Sequence, residues 1–109
     1  MSTTEAPALV RRYFELAPSA DTEAYFALFA EDALVEDEGT EYAGIDAIRK
    51  WRTEVPLVEY TITDVEPVGR GLVVTCTVTG DFPGSPFPGL KYRFEDLDGE
   101  HIKTLRIRP

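Results

Sequence analysis

The sequence predicts an α+β domain in which three N-terminal helices pack on a curved antiparallel or mixed β-sheet and enclose a pocket. Three observations carry that prediction. Apolar residues recur at helical spacing in three stretches before Pro56, and from Val58 onward the period drops from about 3.6 to 2. Turns rich in glycine and proline separate the alternating stretches closely enough for antiparallel neighbours. With 109 residues and no linker, repeat or low-complexity tract, the chain reads as one domain over 1–109, large enough for a core without disulfide staples.

The first helix starts at Thr4-Glu5, with Pro7 tolerated in its first turn. Leu9, Val10, Tyr13, Phe14, Leu16 and Ala17 follow its buried face, Arg11, Arg12 and Glu15 face outward, and Pro18 stops it. Asp21 caps a second helix, Glu23 suits its positive end, and Ala24, Tyr25, Leu28 and Phe29 form its buried stripe. The short link between the two predicts a helical hairpin. A strand over 33–38 follows, then a turn-rich connection over 39–44. Gly44 or Asp46 opens a third helix that carries Ile48, Trp51 and Val55 inward and ends at Pro56.

In the second half, Val58, Tyr60 and Ile62 alternate with Glu59, Thr61 and Thr63, and residues 67–71 turn the chain. Val74, Cys76, Val78 and Phe82 alternate with Thr75, Thr77, Thr79 and Asp81, the clearest strand signal in the sequence. Residues 83–89 read as a stiff loop whose Phe87 is either a rim residue or a packing plug. Leu90, Tyr92 and Phe94 alternate with Lys91, Arg93 and Glu95. Asp98-Gly99 signals a hairpin turn, and 101–108 makes the last strand.

Charge and composition narrow the function classes. A net charge of −9 opposes nucleic acid or an anionic membrane as partner, because phosphate binding needs a basic footprint. No apolar run reaches the roughly 18 residues of a membrane span, and Met1–Glu5 has no basic signal-peptide region, so a cytoplasmic protein is expected. The single Cys76 sits among β-branched residues and reads as a buried, inert thiol. One His and one Cys, far apart, give no zinc spacing, and Glu36, Asp37 and Glu38 alternate faces instead of converging, so no metal site is expected. No glycine-rich phosphate loop and no acyl-transfer triad can be assembled.

One stretch poses the functional question. In the strand over 33–38, Ala33, Val35 and Asp37 share a face, while Leu34 and Glu36 point to the other. Asp37 is therefore either a solvated strand end or a base set in an apolar pocket. Tyr13, one turn after Leu9, is either a half-buried core tyrosine or a hydroxyl aimed into the same space. Trp51 divides in the same way between core and ligand platform. His101 follows the hairpin turn as an exposed strand-start residue.

The order of elements, the run Leu28-Phe29-Ala30-Glu31-Asp32-Ala33 and the helix start Gly44-Ile45-Asp46-Ala47-Ile48-Arg49-Lys50-Trp51 resemble the NTF2-like superfamily, a cone-shaped fold. Within it, the SnoaL-like polyketide cyclases and the ketosteroid Δ-isomerases are the most similar groups. Arg12-Tyr13-Phe14-Glu15-Leu16 is similar to the isomerase motif that bears the oxyanion-hole tyrosine, and Val35-Glu36-Asp37 to the motif that bears the base. The resemblance implies Tyr13 as hydrogen-bond donor and Asp37 as proton-transfer base, in the acid–base pattern of those enzymes. Their second donor, a protonated aspartic acid on a late strand, has no counterpart here. Tyr92 stands at or beside its position by parity, with Lys91 the alternative. An epoxide-hydrolase set would need a third member beside Asp37 and Arg106, and the sequence offers none.

The reading that follows is a domain that binds a small hydrophobic carbonyl compound, such as a steroid, polyketide or terpenoid. Asp37 would move a proton for isomerisation or cyclisation, with Tyr13 and Tyr92 stabilising the enolate. Walls would come from Phe14, Phe26, Phe29, Trp51, Val55, Tyr60, Val74, Cys76, Val78 and Phe94. This chemistry requires no cofactor. The alternative is a non-catalytic NTF2-like module for ligand binding or dimerisation. A homodimer through the outward Thr75/Thr77/Thr79 and Lys91/Arg93 rows is expected under both.

Overall fold

A computed structural model describes residues 7–19, 21–54, 58–95 and 100–109. The order of elements is α1 (Ala8–Leu16), α2 (Thr22–Phe26), β1 (Phe29–Asp37), β2 (Thr40–Ala43), α3 (Ile45–Glu54), β3 (Val58–Val68), β4 (Gly71–Gly80), β5 (Phe87–Glu95) and β6 (Ile102–Arg108). The six strands form one sheet in the order β2-β1-β6-β5-β4-β3. Every pair is antiparallel except β1 with β6, so the sheet is mixed.

A helix forms in each of the three stretches that periodicity marked out. In α1, Leu9, Val10, Tyr13, Phe14 and Leu16 are buried against the sheet. Asp21 caps α2 by accepting from the Ala24 amide at 3.2 Å. Gly44, at φ 88°, leads into α3, and its carbonyl accepts the first helical bond from Ile48. Of the third helix's inward residues, Ile48 and Trp51 are buried as expected. Val55, Pro56, the Thr4-Glu5 start and the Asp98-Gly99 turn lie outside the described residues. The helices are not all N-terminal to the sheet, since α3 follows two strands.

Three boundaries differ from the sequence reading. Phe29 begins β1 and does not extend α2, because α2 is only one turn long. The connection over 39–44 contains a strand, β2. A two-residue turn with left-handed Glu38 (φ 49°) and Gly39 (φ 95°) brings Thr40 opposite Asp37. That pair of positive φ values is what a tight hairpin with the sheet's own twist requires, but Glu is a poor advertisement for it, which is why pattern alone missed it. Finally, β5 begins at Phe87, inside the predicted loop, where it pairs with Val78.

The inner face of the sheet carries Ala33, Val35, Leu72, Val74, Cys76, Val78, Phe94, Leu105 and Ile107, all buried under the helices. Ile62 departs from its expected inward role: a bulge after it shifts the β3–β4 register, and it is 42% exposed. On the outer face, Glu36 is 5% exposed and is gripped by Arg106 and by both Nε and Nη2 of Arg108, at 2.9 and 2.8 Å.

Candidate active site

One cross-strand row organises the site. Asp37 on β1 is opposite Ile107 on β6, Ile107 is opposite Tyr92 on β5, and Tyr92 is opposite Val74 on β4. Two strand spacings therefore separate Asp37 from Tyr92, roughly 10 Å across the sheet. At this end of the inner face the helices leave a cavity of about 200 Å³. Asp37, Trp51, Tyr13, Tyr92 and Tyr60 line it together.

Asp37 is half-buried, and its Oδ2 accepts from Trp51 Nε1 at 3.0 Å. Trp51 is 4% exposed and rests on the Tyr42 ring, with centroids 6.2 Å apart. The indole thus serves both as core and as the group that orients the acid. Tyr13 is 1% exposed, and its hydroxyl accepts from Tyr25 at 3.4 Å. Tyr92 donates to Tyr60 at 3.5 Å. Both contacts are long for O–H···O bonds, so these hydroxyls keep capacity for an incoming acceptor. The rings interlock: Tyr13 lies 5.5 Å from Tyr25 and 6.1 Å from Tyr92, and Tyr60 lies 5.5 Å from Tyr92.

Burial raises the pKa of Tyr13, Tyr25, Tyr60 and Tyr92 above the ordinary phenol value. For Tyr13 the neighbouring phenols push in the same direction. The cluster therefore stays protonated around neutrality, as hydrogen-bond donors must. Of the two candidates for the second donor position, Tyr92 faces the cavity and Lys91 is exposed on the opposite face.

Several expected wall residues do not reach the cavity. Phe14, Phe26, Phe29, Val74, Cys76 and Phe94 are buried in the closed core beside it. Phe29 and Phe94 meet Tyr13 edge-to-face, and Phe26 meets Tyr25 edge-to-face and lies under Arg49. Parity assigns such residues to the inner face but says nothing about which part the helices cover. Val78, Tyr60 and Trp51 do line the cavity, and Val55 lies outside the described residues. Arg106, the other member of an epoxide-hydrolase set, is on the outer face with Glu36 and Glu95, away from Asp37.

The sequence reading overlooked Tyr25, Arg52 and Phe82 as lining residues. Tyr25 was legible only as part of a buried stripe. Arg52, in the last turn of α3, looks like a surface cation complementing the helix dipole. Phe87, expected as a rim residue or a packing plug, is half-buried and lines the cavity.

The model of the SnoaL-like domain matches residues 10–107. The chain belongs to the SnoaL-like family. Among solved structures, it is similar to a protein from Sinorhizobium meliloti provisionally assigned as a polyketide cyclase. They share 33% identity and a TM-score of 0.86 over 99% of this chain and 100% of that one. A Sphaerobacter thermophilus protein follows at 28% identity and a TM-score of 0.74, covering 92% of this chain and 91% of that one. A Catenulispora acidiphila protein with a ketosteroid isomerase-like fold, in complex with trimethylamine, matches at 21% identity and a TM-score of 0.78, over 96% and 87% of the two chains; at that identity the likeness is one of fold. No curated protein matches the chain significantly.

Among the described residues of this SnoaL-like domain, no group of three His, Cys, Asp or Glu side chains is arranged to hold a metal ion. No described helix is long and apolar enough to cross a membrane.

Proposed function

We propose that this SnoaL-like domain binds a small hydrophobic carbonyl compound and moves a proton at the carbon next to the carbonyl. Asp37 acts as the base, Tyr13 donates to the developing enolate oxygen, and Tyr92 supplies a second donor. The observation that carries this reading is that the Asp37 carboxylate and the neutral phenol cluster line one cavity. Abstraction of such a proton needs a base within reach of carbon and a donor where charge develops. Isomerisation and aldol-type cyclisation both pass through that enolate.

The cavity's size bears on the substrate. About 200 Å³ is below the ~300–1,000 Å³ typical of pockets that enclose drug-sized ligands. A mono- or bicyclic ketone suits it better than a whole steroid, which would protrude past the Phe82/Phe87 rim.

The test is hydrogen–deuterium exchange at the α-carbon of 2-tetralone, followed by NMR in D₂O. Exchange above the buffer rate is expected. Asp37→Asn should lower it by about 10²–10⁴-fold, and Tyr13→Phe by about 10²–10³-fold. Exchange at the buffer rate in the wild type would instead favour the non-catalytic ligand-binding module. That second reading draws on the missing second acid: the resemblance implies a carboxylic acid at or beside Tyr92, and the residue there is a phenol. In either case we propose a homodimer that uses the outer sheet face.

A further inference from the structure

Arg52 is the most buried arginine side chain described, at 9% exposure, and it lines the cavity. Its Nη2 donates to the Ala17 carbonyl just past the end of α1. Its guanidinium carbon lies 5.0 Å from the centre of the Tyr25 ring. Among the described residues it has no carboxylate within ion-pair distance. Five of the seven other arginines in this acidic chain do have one: Arg12 meets Glu15, Arg49 meets Glu23, Arg93 meets Glu95, and Arg106 and Arg108 meet Glu36, each with more than a quarter of its side chain exposed.

The contrast is physical. A buried cation costs several kcal/mol to desolvate unless it is paired. One carbonyl and one ring face offset only part of that. Acidic residues are plentiful here, 20 against 11 basic ones, yet the arginine with the greatest need of a counter-charge is left facing the cavity. The guanidinium's remaining N–H groups are a planar fork, matched in shape to a carboxylate. Asp37 and Glu38 line the same cavity, yet among the described residues neither is within ion-pair distance of Arg52, whose guanidinium meets the Ala17 carbonyl and the Tyr25 ring instead.

We propose that Arg52 forms an anion subsite, and that the ligand of this cavity is a hydrophobic carbonyl compound carrying a carboxylate. The proposal rests on reading the cavity as the site for a carbonyl compound, and it adds the orientation. With the carboxylate on Arg52, the apolar body lies along the tyrosines and the carbonyl side is presented to Tyr13 and Asp37.

The test compares 2-naphthoate with its methyl ester by titration calorimetry at about pH 7.5. The two have nearly the same apolar body and differ in charge. The acid should bind at least about tenfold more tightly, the order expected of one buried charge-assisted pair. Arg52→Gln should abolish that preference, and Arg52→Lys should keep part of it. If wild type binds the ester as well as the acid, the anion subsite is refuted while the carbonyl pocket stands. A preference that survives in folded Arg52→Gln refutes it equally. If neither compound binds, the pocket reading fails and this inference falls with it. Should Arg52→Gln not fold, the wild-type ratio alone decides.

Discussion

Asp37 and Tyr13 acquire their settings from neighbours that do different work. The Trp51 indole holds one carboxylate oxygen of Asp37, and among the described residues no hydrogen bond reaches the other. Tyr13 is held by the Tyr25 hydroxyl at 3.4 Å, a contact long enough to leave its own hydroxyl able to turn to an incoming acceptor. Cys76 shows the opposite outcome for a reactive group on the same sheet face. It is fully buried opposite Leu90, and burial alone pushes its thiol up to about 12. The thiolate is the reactive species. A thiol reagent at about pH 8 should therefore label the native protein only at the rate at which it opens, and label it at once in denaturant. Rapid native labelling would show that the core around β4 is open to solvent.

At the scale of elements, β1 is the strand on which the site depends, and its place in the sheet is secured from the outer face. Glu36 on β1 is clasped by Arg106 and Arg108 on β6, its parallel neighbour. Hydrogen bonds from Arg108, then Arg106, hold the Glu36 carboxyl at about 2, below its ordinary 4.5. Because the folded value is depressed, this stabilisation is fully present above about pH 4.5 and is lost as pH falls through about 2. Glu36→Gln should flatten that part of the acid limb in a chemical-denaturation series against pH. An unchanged acid limb would mean that the clasp contributes nothing to the pairing of β1 with β6.

For the whole molecule, the two faces of the sheet have separate tasks. The inner face closes a core and leaves one open end for the cavity. The outer face of β4 and β5 presents Thr75, Thr77, Thr79, Lys91 and Arg93, with both basic residues exposed. A symmetric pair through this face is the simplest assembly. Light scattering at micromolar concentration should give twice the 12.2 kDa chain mass, and the mass of a single chain throughout would remove the interface argument.

Much of the architecture follows from the sequence by itself. Helical spacing determined the buried faces of α1 and α3, and two-residue alternation determined that Ala33, Val35 and Asp37 share the inner face while Glu36 turns outward. These are local properties, set by backbone geometry within a few residues. The tertiary structure alone decided what those faces meet. The parallel pairing of β1 with β6 joins residues some 70 positions apart and brings Asp37 into one row with Tyr92. The packing of the α1 end and α2 over α3 turned Arg52 from an apparent surface cation into a cavity wall, and left Phe14 and Phe94 in the core. Periodicity tells a side chain which way to point. Only long-range register and helix coverage determine whether it points into a core or into a site.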